Sequence, residues 1–182
     1  MPDKLSPLDR ARPVKLLIMD IDGVWTDGAI YHFPGPDGDF VEAKQSSAYD
    51  GMGLRWWHNA GGVSGLISGR ESVGVTYRAN MLGITYVYQD RLEKIPSYEE
   101  ICADAGVTDE QVAYVGDDLP DIPLITRVGL GCAVANARPE VKARADYITT
   151  TPGGHGAVRE IIELILKSQG VWQQILAKYG AD

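Results

Sequence analysis

Acidic, basic and hydroxyl residues recur in this chain where apolar runs stop. VKLLIM (14–19) ends in Asp20 and Asp22, one residue apart and followed by Gly23. GVSGLIS (62–68) ends in Ser68-Gly69-Arg70, VAYVG (112–116) runs into Asp117-Asp118 with Asp121 further on, and Lys94 lies a few residues past ITYVYQ (84–89). Two carboxylates about 4 Å apart repel by about 4 kcal/mol at an effective dielectric near 20. If these segments meet, something cationic must sit among them. Hard carboxylate oxygens without neighbouring His or Cys select Mg²⁺, which keeps open positions for water and for a substrate phosphate oxygen. Lys94, Arg70 and the Ser68 hydroxyl supply donors for the remaining phosphate oxygens.

That combination points to phosphoryl transfer with a carboxylate nucleophile. Asp20, at the rigid end of its apolar run, is the expected nucleophile. Asp22, which Gly23 lets the chain turn into place, is the expected acid and base: it protonates the leaving oxygen and later deprotonates the hydrolytic water.

The elements that must position these groups are legible in the same pattern. Six short apolar runs (14–19, 62–68, 84–89, 112–116, 130–135 and 146–150) alternate with helical stretches, which predicts an α/β fold, an open doubly wound parallel sheet covered on both faces. In such a sheet ligands bind beyond the carboxyl ends of the strands, where the residues above fall. Gly61, Gly83 and Gly106 suit helix C-caps. Val158, Ile161, Ile162 and Ile165 follow the i, i+3, i+4, i+7 spacing of a buried helix face. Residues 28–45 break the rhythm and read as a hairpin, which must lean on something to be stable. The ~45 residues between Asp22 and Ser68, and the ~23 between Arg70 and Lys94, leave no room for a separately folded cap of ordinary domain size.

DIDGVWTDG (20–28), ISGR (67–70), Lys94 and GDDLPD (116–121) resemble, in order and spacing, the four motifs of haloacid dehalogenase superfamily phosphatases. The resemblance implies that Mg²⁺ is bound by Asp20, the backbone carbonyl of Asp22 and Asp117, with Asp118 one step removed. DGMG (50–53), LGITYVYQ (82–89), ARADYIT and GGHGAVRE (153–160) narrow the likeness to the capless 3-deoxy-D-manno-octulosonate 8-phosphate phosphatase family. It spans about residues 14–170 and implies a small phosphorylated sugar acid as substrate, on the way to lipopolysaccharide precursors. It further implies substrate contacts from Ser47, Ala48, Tyr49, Asp50, Gly51, Arg55 and Arg78 beside Asp22, Ser68, Gly69, Arg70 and Lys94. The implied assembly is a homotetramer in which hairpins pack together and a neighbour's C-terminal tail helps close the site. Tyr49 and His155 stand where the family commonly carries arginine. The same chemistry on a nonulosonate 9-phosphate or another small phosphate ester is therefore a second reading, and a catalytically silent oligomeric binding module a third.

Composition agrees with a small-molecule enzyme. The 182 residues suit one domain (14–170), preceded by a loose tail over 1–13 and followed by an amphipathic tail over 171–182. A formal net charge of −8 argues against nucleic acid, whose affinity comes from cations on phosphates. No apolar run approaches a membrane span, and the first dozen residues lack the apolar core of a secretory signal, so a cytoplasmic location is expected. Cys102 and Cys132 show no metal-ligand spacing and read as small hydrophobes.

Overall fold

The apolar run before Asp20 becomes the centre of the molecule. In the computed structural model, which describes residues 5–181, helix α1 (Pro7–Ala11) leads into strand β1 (Leu16–Met19), whose four side chains are all buried. There follow hairpin β2 (Tyr31–Pro34) and β3 (Phe40–Ala43), helix α2 (Ala48–Asn59), β4 (Val63–Ile67), α3 (Val73–Leu82), β5 (Tyr86–Tyr88) and α4 (Lys94–Ala105). The chain continues through β6 (Val112–Gly116), α5 (Ile122–Ile125), β7 (Leu130–Ala133), α6 (Pro139–Lys142), β8 (Tyr147–Ile148), α7 (Ala157–Ser168) and α8 (Trp172–Lys178). Six strands form one parallel sheet in the order β5-β4-β1-β6-β7-β8. From β1 the chain winds outward to β4 and β5, then crosses to β6, β7 and β8. This reversal opens a crevice between the carboxyl ends of β1 and β6.

All six predicted strands are present. α7 buries Val158, Ile161, Ile162 and Ile165, as their spacing requires, and adds Leu166. Gly83 and Gly106 end α3 and α4 in left-handed conformations. No separately folded cap occurs among the described residues: β1 and β4 are joined by a short helical turn (Ile21–Trp25), the hairpin and α2. Nor is any helix among them long and apolar enough to cross a membrane.

The N-terminal segment differs from the expectation of a loose tail. Residues 1–4 lie outside the described residues. Beyond them, Ser6 caps α1 by accepting from the Asp9 N–H, with Pro7 in the first turn. Ala11 and Val14 are buried, and Arg10 donates to the Gly129 carbonyl at 3.0 Å and pairs with Asp146 at 3.2 Å. The tail is thus docked on the domain, because its own cap and apolar residues give a short helix something to bury. At the other end α8 folds back on its own chain. Trp172 meets Trp56 edge-on with centroids 5.5 Å apart, Tyr179 lies 5.9 Å from the same ring, and the Arg159 guanidinium stacks 3.8 Å from it.

The hairpin is the exception to this packing. Tyr31, Phe33, Phe40 and Val41 are at least half exposed, and within the single chain it is fastened near its foot by the Thr26–Ser46 bridge and the Asp27 N–H to the Gln45 carbonyl, and through Glu42 by Arg70. Cys102 and Cys132 are free thiols, half-buried and buried.

Candidate active site

Asp20 continues the β1 ladder, donating its N–H to the Val115 carbonyl at 2.9 Å, so its side chain leaves from the fixed end of the central strand. Lys94, the first residue of α4, reaches it with Nζ 2.7 Å from Oδ1. The same ammonium donates to Asp121 Oδ1 at 2.7 Å and to the Tyr114 hydroxyl at 3.2 Å, while that hydroxyl donates to Asp121 Oδ1 at 2.6 Å. Asp121 Oδ2 accepts the backbone N–H groups of Asp117 and Asp118 at 2.9 and 3.1 Å. Every oxygen of Asp121 is therefore committed to shaping the loop after β6. Gly116 lets that loop close, since a Cβ there would strike the Asp121 side chain.

Asp117 is different. Its carboxylate packs against Gly23, whose φ of +91° and missing Cβ make the approach feasible, and it has no hydrogen-bond or ion-pair partner among the described residues. One oxygen each of Asp20, Asp117 and Asp121 lie within 4.8 Å of one another. Burial, then the charges of Asp20, Asp121 and Asp118, push Asp117 up to about 8. Burial pushes Asp20 up to about 6 against the pull of Lys94. Burial alone would lower the Lys94 ammonium, but Asp20 and Asp121 outweigh it and hold it above the usual lysine range. One ammonium does not satisfy three carboxylates. An all-oxygen cluster with an unpartnered carboxylate and retained protons fits a hard divalent cation, and Asp20 and Asp117 are the side chains free to hold it.

Asp22 stands at the rim with its own cation. Lys44 Nζ lies 2.7 and 2.9 Å from its two oxygens, and Arg70 approaches it at 3.6 Å while bonding Glu42 at 3.1 Å. Ser68 is buried at the end of β4, and its hydroxyl accepts the Arg70 N–H. Asp20, Asp22, Ser68, Arg70, Lys94 and Asp117 line an open cleft of about 180 Å³. Ligand pockets that bury a whole small molecule run to about 300–1,000 Å³, so this cleft suits a phosphoryl group and leaves the remainder of a substrate outside.

The other expected contacts fall elsewhere. Residues 48–51 form the first turn of α2, with Ser47 capping it through the Tyr49 N–H. Ala48 and Tyr49 are exposed, Tyr49 by 71%. Asp50, expected to touch substrate, is fully buried instead: it accepts the Arg159 N–H at 2.8 Å at the start of α7, and burial pushes it up to about 6. Gly51 lies against Arg78, which with Lys44, Ser46 and Ser72 lines the neighbouring pocket. Arg55 and His155 are exposed and do not line the cleft. Asp118 caps its own turn through the Leu119 N–H.

Sequence reasoning missed Lys44, Glu42, Tyr114 and Asn136. Tyr114 carried a signal, a hydroxyl inside a buried strand, which needs a partner. Asn136 bridges the Gly23 carbonyl at 2.9 Å and the Gly153 N–H at 2.7 Å, and the Gly154 N–H bonds the Val24 carbonyl at 3.0 Å. The 152–156 loop thereby braces the turn that carries Asp22, at a distance where Gly153 and Gly154 leave no room for side chains.

Comparison with known proteins gives the same picture. The haloacid dehalogenase-like hydrolase family model matches residues 69–161. The 3-deoxy-D-manno-octulosonate 8-phosphate phosphatase KdsC of Yersinia pestis is 43% identical over 162 residues, covering 89% of this chain and 84% of that protein. That of Escherichia coli K12 is 40% identical over 169 residues, covering 93% and 88%. The crystal structure of the Y. pestis enzyme superposes with a TM-score of 0.86 at 42% identity, over 91% of this chain and 88% of that one. The Moraxella catarrhalis enzyme, solved with magnesium, phosphate and KDO, gives 0.89 at 36% identity, over 95% and 97%. The chain belongs to the haloacid dehalogenase-like hydrolases and, among them, to the 3-deoxy-D-manno-octulosonate 8-phosphate phosphatase family: it is a phosphatase.

Proposed function

We infer that the chain hydrolyses 3-deoxy-D-manno-octulosonate 8-phosphate to the free sugar acid and phosphate, with Mg²⁺, through an aspartyl-phosphate on Asp20. The observation that carries this reading is the unpartnered Asp117 carboxylate beside an Asp20 already fixed by Lys94. The names and bound groups of the relatives support the substrate. Asp20, Asp117 and the backbone carbonyl of Asp22 are the groups that would hold Mg²⁺. When bound, the cation offsets their charge and polarises the phosphoryl oxygens.

Lys94 keeps the Asp20 carboxylate aimed from the strand end, and Ser68 and Arg70 orient the phosphoryl oxygens. Asp20 attacks phosphorus, the ester P–O bond breaks, and Asp22 gives its proton to the departing sugar oxygen. Asp22 then takes a proton from water, the hydroxide oxygen bonds to phosphorus, and the bond to Asp20 breaks to release phosphate.

Assay of phosphate release from the sugar phosphate with Mg²⁺ and with EDTA tests this; unchanged turnover in EDTA rejects the metal-dependent mechanism. A second reading, the same chemistry on a nonulosonate 9-phosphate, is favoured by Tyr49 and His155, both exposed where guanidiniums are common in the family. Both phosphates are compared on wild type, Tyr49→Arg and His155→Arg. A wild type that prefers the nine-carbon ester, with the arginines restoring preference for the eight-carbon one, establishes the second reading. The exposed apolar hairpin supports a homotetramer, which light scattering of the purified protein checks.

A further inference from the structure

Lys44 is the first residue past β3, 22 positions from the aspartate it serves. Its side chain is only 6% exposed, and its ammonium bonds both oxygens of Asp22. Among the described residues nothing else holds that carboxylate as closely: Arg70 stands at 3.6 Å and the Thr26 hydroxyl at 3.5 Å. Glu42 lies 3.6 Å from Lys44 on its other side and takes Arg70, so the ammonium is held between two carboxylates that are themselves tied to the rim. An ammonium shared between both oxygens of one carboxylate is a charge-assisted contact that holds the group in place.

The foot of the hairpin gives Lys44 its position. The Thr26–Ser46 bridge and the Asp27 N–H to Gln45 carbonyl bond, 3.2 Å, fasten residues 45–46 to residues 26–27, immediately beside Lys44. The hairpin strands are solvent-exposed except at Glu42, which is part-buried. A segment that packs so little along its length yet withdraws one ammonium from water at its base is built to deliver that ammonium.

We propose that Lys44 is a positioning residue for the hydrolysis: from the hairpin it orients the Asp22 carboxylate at the mouth of the cleft for proton transfer to the leaving oxygen. The inference rests on the acid role of Asp22 given above. An oriented acid matters when the departing group is an alkoxide and matters little for p-nitrophenolate, which leaves without a proton.

The experiment measures kcat/KM, which covers leaving-group departure, for the sugar phosphate and for p-nitrophenyl phosphate with wild type, Lys44→Met and Asp22→Asn. The ratio of the two values is independent of the fraction of folded enzyme, so partial misfolding of a variant does not imitate the effect. Lys44→Met is expected to lower the sugar phosphate value by about 10–100-fold, the range seen when a supporting shell is removed, and the p-nitrophenyl value far less. Asp22→Asn is expected to be selective in the same direction and more strongly. If Asp22→Asn is selective and Lys44→Met lowers both substrates equally or neither, the role of Lys44 is overturned and the acid assignment stands. If Asp22→Asn is itself unselective, the acid assignment falls and takes this inference with it.

Discussion

The two aspartates after β1 each have a lysine, and the two lysines arrive by opposite routes. Lys94 comes from the domain interior, at the start of α4, and meets Asp20 together with Asp121 and Tyr114, all nearly inaccessible to water. Lys44 comes from the edge, at the foot of an exposed hairpin, and meets Asp22 beside the half-exposed Arg70. The floor suits a group that must stay still while a bond forms to it, and the rim suits one that must give and take protons with solvent-facing partners. Asp20 and Asp22 are tolerated so close together because each takes its ammonium from a different side.

The largest break in that comparison is chemical. Asp20→Asn keeps the floor's shape and removes the nucleophile, and is expected to lower phosphate release by about 10⁴-fold or more, as loss of a nucleophile does elsewhere. Asp121→Ala breaks the floor itself: Lys94 loses one of two carboxylates and two backbone N–H groups lose their acceptor, a cost of about 3 kcal/mol read by denaturant unfolding. The floor's charge is sharpened by titration. Asp117 and Asp20 are raised to about 8 and about 6 without a cation, so near pH 7 the metal-free protein holds protons that an unfolded chain would not. Its stability is therefore expected to fall as pH rises from about 4 to 8, and addition of Mg²⁺ at pH 7 to release protons, measurable by calorimetry in buffers of different ionisation heat. No proton release would refute a cation at the floor. Tyr114→Phe removes one hydroxyl from a network that keeps its ion pairs and is expected to cost about 1 kcal/mol. Glu42→Gln, at the part-exposed rim, is expected to change stability by less than about 1 kcal/mol.

The floor was legible in the sequence because parallel strands bring their carboxyl ends together whatever lies between them. Asp20, Asp117 and Lys94 needed only the positions of three apolar runs to be placed in one crevice. Lys44 was not legible in the same way: a hairpin's register can be read locally, but the direction in which it leaves the sheet depends on tertiary contacts such as Thr26 with Ser46. Asp50 shows the opposite case: the family resemblance implies a substrate contact there, whereas its neighbours place it under α7, where it accepts the Arg159 N–H. The first turn of α1 carried its own signal in Ser6, Pro7 and Asp9, which a short polar tail obscured.

The brace between residues 152–156 and the turn after β1 has a consequence for synthesis. A chain is made from its N-terminus, so the segment bearing both aspartates emerges before the glycines and Asn136 that hold it. A ribosome-bound fragment lacking them has its nucleophile but not its support, and competence to turn over substrate waits for the 152–156 loop to emerge.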